Sequence, residues 1–181
     1  MFSVILEKLV DTGYAAHISL FISSNATKHS SRLSALLTKF WSVELAFSVD
    51  GIGKLQEYIR SPSKWDTIIR NVFAFQKENI PVSIRPTAQA YNIFGLLELV
   101  RWCEKSELPF NLNNVLYSPS FLSMDMLPQV VIDEALQDWV EYLDTECTED
   151  NRWHVQTMIA ALRRPRPKSR DLAVLQDLFI R

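Results

Sequence analysis

The stretch ELAFSVDGIGKLQEYIRSPSKWDTIIRN, residues 44–71, decides how the chain is read. It starts as an apolar, β-prone run, turns at Asp50-Gly51 and ends in a helix-spaced segment. A strand running through a polar turn into a helix is the repeating unit of a parallel α/β protein, and ligands gather at such junctions. Ser48 and Asp50 place there a hydroxyl and a carboxylate, groups suited to a ribose or an amino group. Gly51 permits a sharp turn with close approach of the backbone. The same residues equally suit a plain turn dipeptide behind a capping serine, and the stretch alone leaves both readings open.

Outward from this stretch the pattern repeats. HISLFIS, 17–23, is a short apolar run bounded by SNATKHSS and predicts a buried strand; VELAFS, 43–48, predicts a second. PVSIRPT, 81–87, predicts a third, and NNVLYSP, 113–119, a fourth. Between them lie helical segments: SRLSALLTKF capped by Ser30 or Ser31, SPSKWDTIIRNVFAFQKEN with Pro62 and Ser63 near its start, and IFGLLELVRWCEKS. Residues 2–12 have apolar positions at helical spacing, with Gly13 as a stop. The expected fold is α/β: a partial parallel (β/α) barrel over 1–127, then a helical extension over 128–181. In that extension QVVIDEALQDWVEYLDTE and NRWHVQTMIAALRR read as consecutive helices, and RRPRPKSR connects them to a last helix, DLAVLQDLFIR. Four strands are too few to close a barrel, which usually takes about eight. The chain begins on a helix, so missing N-terminal strands are expected, and HISLFIS is expected to be an exposed edge prone to pairing.

Composition narrows the function classes. Net charge is −2 over 181 residues, which gives no electrostatic bias toward nucleic acid or anionic membranes. The basic RRPRPKSR, 163–170, reads as a solvated linker more readily than as a phosphate contact. No apolar run approaches the roughly 20 residues a membrane span requires. The opening MFSVILEKLV lacks a basic n-region and carries Glu7 and Lys8 within the apolar stretch, so a soluble cytoplasmic protein is expected. The two cysteines, Cys103 and Cys147, lie far apart and form no CxxC, zinc or disulfide pattern. GIGK is not a phosphate loop, because Ser48 stands where a glycine is needed, and Gln56 breaks a dinucleotide fingerprint that would start at Gly51. His17, His29 and His154 have no metal-ligand spacing, and there is no GxSxG elbow. What remains is polar residues at the C-terminal ends of the strands: SSNAT, SVDG, RPTAQAYN and YSPS.

SSNAT, WSVELAFSVDGIGKLQEYIRSPSKWDTIIRN, VSIRPTAQAYNIFGLLELVRWC and YSPSFLSMDMLP, taken in order over residues 5–128, resemble the radical S-adenosylmethionine (AdoMet) superfamily, in its twitch or SPASM-containing branch. The resemblance implies that the four strands correspond to strands three to six of a partial (β/α)6 barrel. It implies AdoMet as cofactor, with Ser48, Asp50 and Gly51 in the SIDG segment that lines its site. Asn25 matches the asparagine of a TNG motif whose glycine is Ala26 here. Arg60 matches an arginine that reaches the cofactor carboxylate, a task suited to a guanidinium, although a surface arginine beside Glu57 fits the spacing equally. Thr87, Gln89 and Asn92 lie at the next strand end, while Tyr58 and Trp65 suit packing. The family also holds a [4Fe–4S] cluster on a CxxxCxxC motif and has a GGEP-like segment; this chain has neither. The expectation is an incomplete radical enzyme, unable to act alone, with a companion chain or N-terminal segment supplying the cysteines. The alternatives are an inactive scaffold that binds another chain, and an ordinary α/β small-molecule binder.

Overall fold

A computed structural model describes residues 2–165 of the chain. Helix α1 (Phe2–Asp11) ends as expected at Gly13, whose φ of 76° only glycine adopts without strain. Strand β1 (Ser19–Ser24) follows, then α2 (Ser31–Leu37), capped by Ser30, whose hydroxyl accepts the Leu33 amide. Strand β2 (Ser42–Phe47) pairs in parallel with β1, from Ser19 opposite Ser42 to Ser24 opposite Phe47. Parallel neighbours need a crossover, and α2 supplies it.

Beyond β2 the chain departs from expectation. A helix that was not expected, α3 (Gly53–Ile59), precedes the expected one, α4 (Trp65–Lys77), and the turn at Arg60–Lys64 separates them. Helix α4 buries Ile68, Val72 and Phe75, a run at i, i+4 and i+7 that faces the sheet. It leads into β3 (Val82–Ile84), parallel to β2. The third predicted strand then breaks. Arg85 donates its amide to the Phe47 carbonyl, but Pro86 has no N–H to continue the ladder. Pairing resumes in β4 (Thr87–Ala88), which lies parallel to β5 (Asn114–Val115). A parallel bridge from Ile84 to Phe110 carries the pairing across the break. The expected four-stranded partial barrel is therefore corrected to a three-stranded sheet, in order β1-β2-β3, and a two-stranded one. The α/β class and parallel sense are as expected.

Helix α5 (Gly95–Lys105) precedes β5, and the chain ends in α6 (Gln129–Thr145) and α7 (Glu149–Leu162), both predicted. The predicted last helix at 171–181 lies outside the described residues, as does most of the basic connector. Leu45, Phe47, Val82 and Ile84 on one sheet face join Ile68, Leu96, Trp139 and Met158 in a single buried core. Each such side chain contributes about 1.5–3 kcal/mol on burial. The opposite sheet face is polar: Ser83 and Arg85 both donate to the Glu44 carboxylate at 2.9 Å, and Arg85 lies over the Phe21 ring. Strand β1 was expected to be buried, yet Ser19, Phe21 and Ser23 are exposed. It is the terminal strand in the sheet order, so its outer edge and polar face are uncovered among the described residues. No helix among them is long and apolar enough to cross a membrane.

Candidate functional site

The C-terminal ends of β2 and β3 and the start of β4 meet near Asp50, which is 2 % exposed. One carboxylate oxygen accepts the Arg60 Nε–H at 2.6 Å, and the other accepts the Thr87 amide at 2.8 Å. The Asp50 amide donates to the Gln56 side-chain oxygen at 2.7 Å. Asn92 is fully buried; its Nδ2 donates to the Asp50 and Thr87 carbonyls, and its Oδ1 accepts the Gln89 amide. The sequence thus folds locally around one buried anion, and burial of that anion is made tolerable by a guanidinium and a backbone amide.

This geometry sorts the predicted site residues. Asp50 and Asn92 are brought together, yet both are spent on the protein: every hydrogen of the Asn92 amide and both Asp50 oxygens are taken. Arg60 faces Asp50 rather than Glu57, which instead pairs with Lys54 and Lys64 and accepts the Trp65 amide. Arg60 lends Asp50 only its Nε, and no bond of its two terminal nitrogens is made among the described residues. Its side chain is 31 % exposed, so those nitrogens can still meet a ligand carboxylate. Ser48 is half-buried; its amide donates to Ser24 at 2.8 Å and its hydroxyl is unbonded among the described residues, as is that of Thr87.

Gly51 serves packing, not the turn. Its φ is ordinary, whereas Gly53 has φ 54° and makes the turn. A Cβ on Gly51 would come 2.7 Å from Leu55 Cδ2, and a Cβ on Gly95 would clash with the same carbon. Asn25 stands apart from the Asp50 network, exposed, its Oδ1 accepting from the Thr27 amide and hydroxyl. Next to it Ala26 adopts φ 55°, the left-handed conformation a glycine would take freely. Asn71 holds that turn by donating to the Ala26 carbonyl at 2.8 Å. Trp65 packs edge-on against Trp102, as expected, and Tyr58 meets Tyr91 at the surface.

Sequence reasoning missed Gln56, Leu55 and Asn71. Gln56 is fully buried, with its oxygen on Asp50 and its Nε2 unbonded. Only a helix begun at Gly53 would have turned it toward Asp50, and seven residues are too few for periodicity to show one.

The residues present do not fit an iron–sulfur cluster. Cys103 is fully buried in α5, where burial first and then the Glu104 charge push its thiol far above the usual range. Cys147 is half-buried in the turn between α6 and α7, and its thiol is also raised, chiefly by burial. Among the described residues no three His, Cys, Asp or Glu side chains group as metal ligands.

No family model matches the chain, and no curated protein does. Among solved structures it resembles native anSMEcpe with bound AdoMet and Cp18Cys peptide, with a TM-score of 0.56 at 12 % identity. The match covers 76 % of this chain and 43 % of that one. The two share a fold. The chain spans less than half the length of the structure it matches.

Proposed function

We propose that the chain is an incomplete radical AdoMet barrel of the twitch or SPASM type. In this reading it forms one wall of an AdoMet site and cannot generate the radical alone. The observation that carries the reading is the free polar set at the strand ends: the Ser48 and Thr87 hydroxyls and the terminal nitrogens of Arg60. Its support is the fold shared with a protein solved with AdoMet bound, and the ordered motifs from Asn25 to Asn92. Arg60 would hold the methionine carboxylate, pre-aimed by Asp50, and Ser48 would hold the nucleoside end. Asp50, Gln56 and Asn92 would shape the wall without touching the ligand. Bound beside a [4Fe–4S] cluster, AdoMet supplies a 5′-deoxyadenosyl radical in this superfamily; here a companion chain or segment would have to bring the cysteines.

Calorimetric titration with S-adenosylhomocysteine tests the wall. Saturable binding that weakens about tenfold in Arg60→Gln, with the melting temperature checked alongside, is the expected result. Binding indifferent to both Ser48→Ala and Arg60→Gln counts against it. Anaerobic reconstitution of this chain alone with iron and sulfide should yield neither cluster absorption nor 5′-deoxyadenosine; obtaining both overturns the incompleteness.

The second reading is an inactive partial barrel that serves as a scaffold for another chain. It is favoured by the inward commitment of Asp50 and Asn92 and by the uncovered β1 edge. It expects no S-adenosylhomocysteine binding at all.

A further inference from the structure

We propose that the groove between the β1–α2 loop and α4 is a binding site for a phosphate monoester. The cavity, about 680 Å³, shares no lining residue with the Asp50 network and is lined by Thr27, Lys28, His29, Ser30, Thr67 and Arg70, among others. No acidic side chain lines it.

Three independent features single it out. First, Arg32, Arg60, Arg85, Arg101 and Arg152 each hold a carboxylate within 4 Å, whereas Arg70, Arg163 and Arg164 hold none among the described residues. Arg70 lines the groove, and Asp66, one turn before it on α4, makes no ion pair with it among the described residues. Lys28 is likewise without a carboxylate there. Two unpaired cations that line one groove repel each other, and an anion bound there relieves that repulsion. Second, the loop that carries Lys28 is not slack. Ala26 is held in a left-handed conformation by Asn71, a residue of α4 itself, and strained backbone of this kind persists only where the surroundings over-determine it. The Asn71 bond fixes the loop to the helix that supplies Arg70. Third, the remaining donors suit a tetrahedral anion. Ser30 accepts the Leu33 amide through its oxygen and keeps its proton to donate, and the Thr67 hydroxyl is unbonded among the described residues. A guanidinium, an ammonium and two hydroxyls exceed what a two-oxygen carboxylate accepts side-on and match three phosphoryl oxygens.

The organic portion of the ester has a place as well. Lys28 and Leu33 also form a wall of a neighbouring apolar cavity of about 350 Å³, together with Ile22, Leu37 and Phe75. A phosphoryl group in the basic groove would therefore have apolar surface beside its ester oxygen.

The test is calorimetric titration of the whole chain at low salt with inorganic phosphate and with phenyl phosphate. Both should saturate at one site, phenyl phosphate the more tightly. Arg70→Ala and Lys28→Ala should each weaken binding about tenfold. Arg32→Ala removes the same charge from a residue engaged with Glu7 and should change nothing. Absence of saturable binding overturns the proposal, as does equal weakening by all three variants, which would mean net charge alone. Equal affinity for the two ligands would overturn the ester. Ser48→Ala should leave phosphate binding intact, so failure of the AdoMet reading and failure of this one are separable.

Discussion

The junction of β2 with β3 and β4 is locked by side chains, whereas the junction of β1 with β2 is held almost wholly by backbone. At the first, an ion pair, a buried amide and a buried carboxamide all meet at Asp50, and hardly any of it faces solvent. At the second, the ladder from Ser19 to Ser24 ends in the Ser48 amide bond to Ser24, and just beyond it one side chain, Asn71, ties down the loop. The same sheet is thus finished at one edge and left open at the other. A polar network of this kind specifies one arrangement because every member would be stranded by the loss of another.

The sharpest way to break the contrast is Asp50→Ala, which strands the Thr87 amide and the half-buried Arg60. Urea denaturation should show a loss of about 3 kcal/mol, toward the low end for a broken buried pair because Arg60 still reaches water. Asn71→Ala attacks the weaker junction by orphaning the Ala26 carbonyl in a strained turn. It should cost about 2 kcal/mol by the same measurement. A reversal of that order would mean that the loop, not the Asp50 network, is the stronger tie.

An acid titration sharpens the comparison further. Burial raises Glu104, but hydrogen bonds from Asn151 and Thr148 outweigh it and hold the carboxyl below the ordinary 4.5. A carboxylate depressed on folding contributes stability above its unfolded value, and that contribution fades as pH falls through the folded one. The tie from α5 to α7 should therefore loosen progressively as the pH falls below 4.5, and Glu104→Gln should flatten the pH dependence of the melting temperature. The Ala26–Asn71 tie contains no titratable group and should not follow it. The smallest effect is expected from Phe21→Lys on the exposed face of β1: stability should move by under about 0.5 kcal/mol, while self-association measured by sedimentation should fall.

The strands were legible because ISLFIS and VELAF combine β-branched and aromatic residues in runs too short for helices. The break at Arg85–Pro86 was written in the sequence too, but only the pairing partner on each side shows that the ladder halts there. The edge position of β1 was expected; what the apolar run did not announce is that its alternate residues Ser19, Phe21 and Ser23 would lie exposed. At the site, strand-end position named Asp50, the resemblance added Arg60, Thr87 and Asn92, and the fold does assemble them. Their bonds to one another depend on side-chain direction at four separate elements, which spacing cannot convey. Nor does the sequence announce the left-handed φ of 55° at Ala26, since alanine rarely adopts it.

Leu55 has a consequence for how this sequence can change. Its side chain lies against Gly51 on one side and Gly95 on the other, bridging the start of α3 to the start of α5. Neither glycine can acquire a side chain while the leucine keeps this position, and the leucine can shrink without either glycine objecting. The order of substitution is therefore one-way: position 55 must give ground first, and only then do 51 and 95 become free to vary.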